Sequence, residues 1–124
     1  MKLPDKMPVL RVAAMLADAN PNQTMFGGWL MGQVDLAGSI PAFQRARGAV
    51  VTASVKSMNF ISPLYTGDLV SLYAEIVEQG RSSMTVVVDV WIERDFHAPV
   101  TINVANARLV YVAVDKQGKA RALP

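Results

Sequence analysis

The clearest pattern along the chain is an alternation of polarity from residue 83 to residue 94. One phase of this alternation is apolar throughout, and it consists of Met84, Val86, Val88, Val90 and Ile92. A repeat of two residues predicts a β-strand. Other stretches rich in Val, Ile, Thr and Tyr predict strands at 49–60, 69–79 and 101–115, with a candidate first strand at 9–16.

A different pattern begins at Gly27-Gly28 and runs to about Arg47. Its apolar residues are distributed around the full circumference of a helix: Trp29, Leu30, Met31, Val34, Leu36, Ala37, Ile40 and Phe43. A helix that is apolar on every side is a buried helix. Because Pro41 lacks an N–H and crowds the preceding turn, we expect one long helix with a disturbance near residues 37–41.

The order of these elements predicts an α+β fold in a single domain, residues 1–124. A strand is followed by the long buried helix and then by four long strands with short connections, which favour antiparallel pairing of consecutive strands. We therefore expect an antiparallel sheet of five to six strands wrapped around one central helix. A single chain of 124 residues can cover only part of such a helix. The minimum unit is thus expected to be a homodimer, with a tetramer or hexamer as further options.

The composition excludes several kinds of site. The chain has no cysteine and one histidine, His97, which excludes disulfides, thiolate metal sites and a multi-histidine metal site within one chain. The net charge is +2 and the basic residues are scattered, so nucleic acid is not an expected partner. Neither a signal peptide nor a membrane span of roughly 20 apolar residues is present. We expect a cytoplasmic protein without a membrane partner.

Asp35 is the most informative candidate for chemistry. It is the only charged residue between positions 19 and 44, and it lies in the otherwise apolar helix. Burying a carboxylate there is costly unless other groups compensate. One interpretation is a structural carboxylate that accepts hydrogen bonds from a neighbouring loop. The other interpretation is a general base or a nucleophile.

Gly27 and Gly28 are the second candidate, at the expected start of the helix. Free backbone N–H groups and the helix dipole favour negative charge there, so the pair can form an oxyanion hole, although a plain loop-to-helix junction has the same sequence. Gly28 lies about 10 Å from Asp35 along a helix, so one carbonyl can hardly meet both groups in one chain. Two antiparallel helices in a dimer would bring the helix start of one subunit to Asp35 of the other.

Three weaker candidates lie elsewhere. Ser39 follows Asp35 by four residues and shares its helix face, where it can hold a water or the carboxylate, or act as a small packing residue. Arg81 precedes Ser82-Ser83 in a predicted turn, a combination that suits a phosphate but also an ordinary hairpin tip. His97 lies in another predicted turn, and nothing near it supports a Ser-His-Asp triad.

The segment from Asn20 to Gly38 closely resembles the helix motif of hotdog-fold acyl-CoA thioesterases. It reads NPNQTMFGGWLMGQVDLAG, and the resemblance is to the bacterial YciA-like group, which is related to the cytosolic acyl-CoA hydrolases of animals. Further matches, which extend the resemblance over residues from about 12 to 124, are VTASV at 51–55, Met58-Asn59-Phe60, Gly67-Asp68, GRSS at 80–83 and VAVD at 112–115. The resemblance implies a hotdog fold, in which an antiparallel sheet wraps one long helix and chains pair into dimers or larger assemblies.

The resemblance also implies roles for individual residues. Asp35 takes the place of the family's catalytic acid, and the backbone N–H of Gly27 or Gly28 takes the place of the group that polarises the carbonyl. Asn20 matches a loop asparagine that can assist at the reacting centre. The residues that fall where such proteins commonly contact the CoA moiety are Arg81, Ser82 and Ser83.

The implied reaction is hydrolysis of an acyl-CoA thioester to a carboxylic acid and CoA, with no cofactor. Asp35 would deprotonate a water or attack the carbonyl directly, and the residues leave both routes open. Departures from the family pattern at Gln23, Pro41 and Lys56-Ser57 bear on substrate preference rather than on reaction type. Two other functions stay open. They are hydratase or dehydratase activity on acyl thioesters, which usually pairs the acid with a histidine, and non-catalytic acyl-CoA binding in a sensor.

Overall fold

Residues 1–95 and 97–124, which the computed structural model describes, form one α-helix and five β-strands. In chain order the elements are β1 (Leu10–Ala13), α1 (Gly27–Ala46), β2 (Val50–Phe60), β3 (Leu69–Gln79), β4 (Ser83–Arg94) and β5 (Val100–Ala113). Every strand pairing is antiparallel. The predicted α+β class is confirmed. Strand β1 is shorter than predicted, and a 3-10 turn follows it at Leu16–Asp18.

Strand β4 lies in the middle of the sheet, with β3 on one side and β5 on the other. The apolar phase of its alternation is fully buried, and it consists of Met84, Val86, Val88, Val90 and Ile92. Burying an aliphatic side chain contributes about 1.5–3 kcal/mol. Because a slip of one residue would turn all five side chains outward, this pattern also fixes the register of β4.

The strand order is β1-β3-β4-β5-β2, which corrects one expectation. Strands β3, β4 and β5 form the predicted meander, but β2 pairs with β5 at the far edge instead of with β3. The connection 61–68 therefore joins two strands that are not neighbours. This connection is long enough, because it crosses three strand spacings of about 4.8 Å each and an extended chain covers about 3.3 Å per residue. Helix α1 packs against β2, β3, β4 and β5.

Helix α1 is continuous over its 20 residues, including Pro41, so the expected disturbance does not interrupt it. Its buried face consists largely of small residues: Leu30, Val34, Ala37, Gly38, Ala42 and Ala46. The helix ends at Arg47, which has the left-handed conformation (φ 52°), and Arg121 donates a hydrogen bond of 2.7 Å to the Ala46 carbonyl. This contact satisfies one of the carbonyl groups that a helix end leaves without a partner.

Part of the apolar surface lies outside the core of the single chain. On α1, Leu36 and Phe43 are more than half exposed, at 52% and 56%. On the edge strand β2, Val51 and Val55 are exposed as well. As expected, one chain covers only one side of the helix. Within the described residues, no helix has the length and apolar character needed to cross a membrane.

Candidate active site

Asp35 lies near the middle of α1 and is partly exposed. Its Oδ1 atom accepts a hydrogen bond of 2.7 Å from the Thr52 hydroxyl of β2. The Tyr111 hydroxyl of β5 lies 3.0 Å from the same Oδ1 atom and 2.7 Å from the Asp35 main-chain carbonyl. The charge in the helix is thus compensated by hydroxyl groups of two strands and not by a loop.

The pairing of β2 with β5 explains why these two hydroxyl groups meet. Thr52 and Tyr111 are Cα partners in the antiparallel ladder, so their side chains point to the same face of the sheet. A register shift follows directly, between Thr52 and Ser54. An irregularity of this kind bends a strand and re-aims side chains, and it is common next to active sites.

Tyr111 is fully buried. Burial, followed by the charge of Asp35 and the hydrogen bond to it, raises the pKa of Tyr111 well above the ordinary value for a phenol. The hydroxyl group therefore keeps its proton and acts as a hydrogen-bond donor near neutral pH.

Gly27 is the first residue of α1, and Phe26 precedes it as an N-cap with extended backbone and no side-chain capping bond. The first turn carries no acidic residue. The N–H groups of a first turn have no acceptor within the helix, so those of Gly27 and Gly28 can receive an external acceptor. A Cβ atom at Gly27 would lie 3.3 Å from the Phe60 ring, whereas one at Gly28 would meet nothing within 4 Å.

An open cavity of about 320 Å³ adjoins this helix start. Its lining is mostly apolar, and it consists of Met25, Phe26, Gly27, Leu30, Phe60, Ile61, Ser62, Pro63 and Leu64. The cavity is therefore formed by the helix start together with the β2–β3 connection. An apolar group bound here would lie beside the free amide groups of the helix.

The β2–β3 connection is fixed by a pair of charged residues. Arg94 donates two hydrogen bonds of 2.8 Å to the carboxylate of Asp68, whose side chain is only 1% exposed. The Tyr65 amide donates to the same carboxylate at 2.9 Å, and the Arg94 guanidinium lies 4.7 Å from the centre of the Tyr65 ring. The hydrogen bond to Asp68 raises the pKa of Arg94. Buried polar bonds of this quality hold one loop conformation.

Asn20 and Ser39 have other hydrogen-bond partners within the chain. The Asn20 side chain donates to the Thr24 hydroxyl at 2.6 Å and accepts from the Asn22 and Thr24 amides, so it shapes the loop that precedes α1. The Ser39 hydroxyl donates to the Leu36 carbonyl at 2.6 Å and not to the Asp35 carboxylate. Ser39 therefore does not hold Asp35 in this chain.

Arg81, Ser82 and Ser83 lie where β3 turns into β4, as expected for a hairpin tip. The Ala113 amide donates to the Ser82 carbonyl, and the Leu123 amide donates to the Arg81 carbonyl. The tip is thereby tied to the end of β5 and to the C-terminal segment, while the Arg81 side chain stays exposed. His97 is exposed in the turn after β4. In the part of the chain that the structure describes, no cluster of three His, Cys, Asp or Glu residues could hold a metal ion.

Comparison with known proteins identifies the family. A model of the thioesterase superfamily matches residues 22–96, which is more than half of the chain. This chain belongs to the thioesterase superfamily. The acyl-CoA thioester hydrolase YciA of Escherichia coli (strain K12) is 44% identical over 118 residues, which span 94% of this chain and 89% of that protein.

Two solved thioesterase structures share the fold. The hexameric thioesterase from Yersinia pestis is 43% identical, with a TM-score of 0.90 over 98% of both chains. The hexameric hotdog fold thioesterase of Campylobacter jejuni is 37% identical, with a TM-score of 0.91 over 96% of this chain and 91% of that one. The predicted hotdog fold is confirmed.

Sequence reasoning assigned no role to two residues of this thioesterase-superfamily chain, Thr52 and Tyr111. Thr52 lies in the VTASV stretch that resembles the family, and Tyr111 directly precedes VAVD at 112–115, but hydroxyl residues are ordinary in strands. One signal was available in the sequence. Tyr111 is two residues from each of the apolar residues Leu109 and Ala113, so in a strand its side chain points to the same face as theirs. A polar tip on an inward-facing aromatic residue requires a partner in the core, and that partner is Asp35.

Proposed function

We propose that the protein hydrolyses acyl-CoA thioesters to a carboxylic acid and CoA, with Asp35 as the reacting carboxylate. The observation that carries the proposal is a partly exposed carboxylate held on one oxygen by two hydroxyl groups, within a helix segment that has no other charge. Similarity to the acyl-CoA thioester hydrolase YciA supports acyl-CoA as the substrate class.

Two routes are compatible with one carboxylate. In the first, Asp35 takes a proton from a water as the water oxygen attacks the thioester carbonyl, and the carbon–sulfur bond breaks to release the CoA thiolate. In the second, Asp35 attacks the carbonyl itself and forms an anhydride, which water then hydrolyses. Both routes develop negative charge on the carbonyl oxygen, so both need a hydrogen-bond donor for that oxygen.

The amides of Gly27 and Gly28 are the proposed donors. Their position at an uncapped helix start favours negative charge, and the apolar cavity beside them can receive an uncharged portion of the substrate. Asn20 is the proposed assisting residue from the loop before the helix. Its side chain already bonds within that loop, so it would act with the remaining N–H of its amide group.

The hairpin tip at Arg81, Ser82 and Ser83 is the proposed contact for the CoA moiety. An exposed guanidinium beside two hydroxyl groups matches the hydrogen-bonding needs of phosphate oxygens. The bonds from the Ala113 and Leu123 amides hold the backbone of this tip in place. A fixed tip loses less entropy on binding than a free loop.

We propose a homodimer as the smallest active unit, within a larger assembly. The edge strand β2 and the uncovered side of α1 expose Val51, Val55, Leu36 and Phe43, and edge strands with exposed apolar side chains require cover. A second copy would supply it. An antiparallel arrangement of two α1 helices would also bring the Gly27 amide of one chain to Asp35 of the other.

The proposed reaction uses a carboxylate, backbone amides and water, and no cofactor or metal ion takes part in it. A cytoplasmic location stays a prediction.

The proposal is tested by free thiol release from a panel of acyl-CoAs of different length, compared between the wild type, Asp35→Asn and Asp35→Ala. Wild-type protein is expected to release thiol from at least part of the panel. Both variants are expected to lose at least about 100-fold in kcat, as loss of a principal catalytic group does. Circular dichroism and size-exclusion chromatography check that the variants fold and assemble. Folded variants with near-wild-type turnover would refute the role of Asp35, and wild-type binding without release would favour the sensor.

A further inference from the structure

Tyr111 reaches Asp35 through a gap in the helix. A Cβ atom placed on Gly38 would lie 2.5 Å from the Tyr111 hydroxyl oxygen and 3.1 Å from two ring carbons. No real side chain could stand that close, and Gly38 lies within α1, where its backbone conformation does not require glycine. The absence of a side chain at this position is therefore explained by the passage of the phenol to the residue one turn earlier, Asp35.

The tyrosine has one proton and two acceptors within reach. Its hydroxyl oxygen lies 2.7 Å from the Asp35 carbonyl and 3.0 Å from Oδ1, so the single proton is shared between a main-chain oxygen and a carboxylate oxygen of the same residue. Because both acceptors belong to Asp35, the bond fixes the side chain relative to its own backbone.

The two carboxylate oxygens of Asp35 have different surroundings. Oδ1 accepts from Thr52 and lies within hydrogen-bond distance of Tyr111. Among the described residues, no group makes a hydrogen bond to Oδ2. One oxygen is thus anchored, and the other is free to meet a water or a substrate.

We infer that Tyr111 is a positioning residue that holds Asp35 by Oδ1 and leaves Oδ2 as the reacting oxygen. The inference rests on the proposed function, because it assigns the reacting atom within the same carboxylate. Tyr111 itself does not touch the substrate. Its contribution is orientation, and misplacing a catalytic group by a small distance lowers the rate of the chemical step.

The test compares two matched variants, Tyr111→Phe and Tyr73→Phe, each of which removes one hydroxyl group from a buried tyrosine. The kinetic constants kcat and KM are measured with the acyl-CoA that the wild type hydrolyses best. Tyr111→Phe is expected to lower kcat about 10- to 100-fold, the range for one lost hydrogen bond to a charged group, and to leave KM within about twofold. Tyr73→Phe, which does not contact Asp35, is expected to keep both constants.

Two further variants test whether a loss of kcat comes from a misplaced Asp35 side chain or from altered packing around Tyr111. Gly38→Ala keeps the phenol but displaces its hydroxyl group, and it is expected to lower kcat as Tyr111→Phe does. In an Asp35→Asn chain, Tyr111→Phe is expected to cause no further loss of kcat, because the oriented group is already gone.

Several results would overturn the inference. They are a kcat of Tyr111→Phe within about twofold of the wild type, an equal loss in Tyr73→Phe, and a loss that multiplies fully with that of Asp35→Asn. If Tyr111→Phe does not fold, a normal kcat for Gly38→Ala has the same consequence. A wild type without thiol release, or an Asp35→Asn variant with full activity, would instead refute the proposed function.

Discussion

Asp35 carries a negative charge within the apolar helix α1. A single charge between positions 19 and 44 stands out against an apolar helix, because an uncompensated carboxylate there is costly. The compensation comes from the hydroxyl groups of Thr52 and Tyr111. Both hydroxyl groups reach Asp35 because β2 pairs with β5, where Thr52 and Tyr111 are Cα partners.

The amide of Gly27 allows a test of the proposed oxyanion hole that leaves the helix intact. Proline is favoured at the first position of a helix, where its missing N–H has no acceptor within the helix, and the extended Phe26 backbone (φ −64°, ψ 143°) suits a residue before proline. Gly27→Pro is therefore expected to fold. It is also expected to lose about 100- to 1,000-fold in kcat, the effect of removing one oxyanion donor, measured by thiol release.

Gly27→Ala is the matched control, because it adds a Cβ atom but keeps the N–H. The added atom would lie 3.3 Å from the Phe60 ring, so a small movement of that side chain accommodates it, and activity within a few fold of the wild type is expected. Gly28→Pro identifies the donor if Gly27→Pro stays active. Full activity in both proline variants would contradict the oxyanion role of this helix start.

At the scale of elements, the sequence predicted the number, type and approximate bounds of the helix and the long strands. Period-two alternation in β4 and the apolar run of α1 are local signals, and both elements formed as expected. The position of β2 was not predictable in this way. Its pairing with β5 is a contact between residues far apart in the chain, 50–60 and 105–113, and no local pattern along residues 61–68 reports it.

The ion pair between Asp68 and Arg94 holds the connection between β2 and β3 in place. This connection, residues 61–68, joins two strands that are not neighbours in the sheet. Replacing Arg94 with Met leaves a carboxylate that is 1% exposed without its charged partner. We expect Arg94→Met to lower the free energy of unfolding by about 3 kcal/mol, the lower end for a broken buried pair, because the Arg94 side chain itself is 32% exposed. Urea denaturation measures the change.

Two further variants make this measurement specific. Glu93→Gln removes the more exposed ion pair of 3.8 Å with Arg11, keeps the Arg11 hydrogen bond to the buried Ser71 hydroxyl, and is expected to cost at most about 1 kcal/mol. Adding Asp68→Asn to Arg94→Met removes the unpaired charge and is expected to recover part of the loss. A loss of less than about 1 kcal/mol in Arg94→Met would contradict a stabilising role for the pair.

At the scale of the whole molecule, the proposed site requires a second chain. Gly28 and Asp35 lie about 10 Å apart along one continuous helix, at 1.5 Å per residue, so one thioester carbonyl cannot contact both in one chain. The uncovered side of α1 and the free edge of β2 are the surfaces through which a second chain would complete it. The sequence already indicated this need, since the helix is apolar on all sides.

The central claim is that Asp35 of one chain and the helix-start amide of another form one catalytic centre. The direct measurement is thiol release by mixed oligomers of Asp35→Asn and Gly27→Pro chains, or Gly28→Pro if that variant is the inactive one. The two chains carry different affinity tags, are co-expressed at equal levels and are purified through both tags. Each variant alone is expected to be inactive.

Each shared site draws one group from each of two chains. In a dimer purified through both tags, about half of the sites therefore have both groups intact, and in a hexamer of randomly mixed chains about one quarter do. A centre shared between two chains therefore predicts that mixed dimers recover about half of wild-type activity and mixed hexamers about a quarter. Mixed oligomers that assemble but stay as inactive as the separate variants would contradict it.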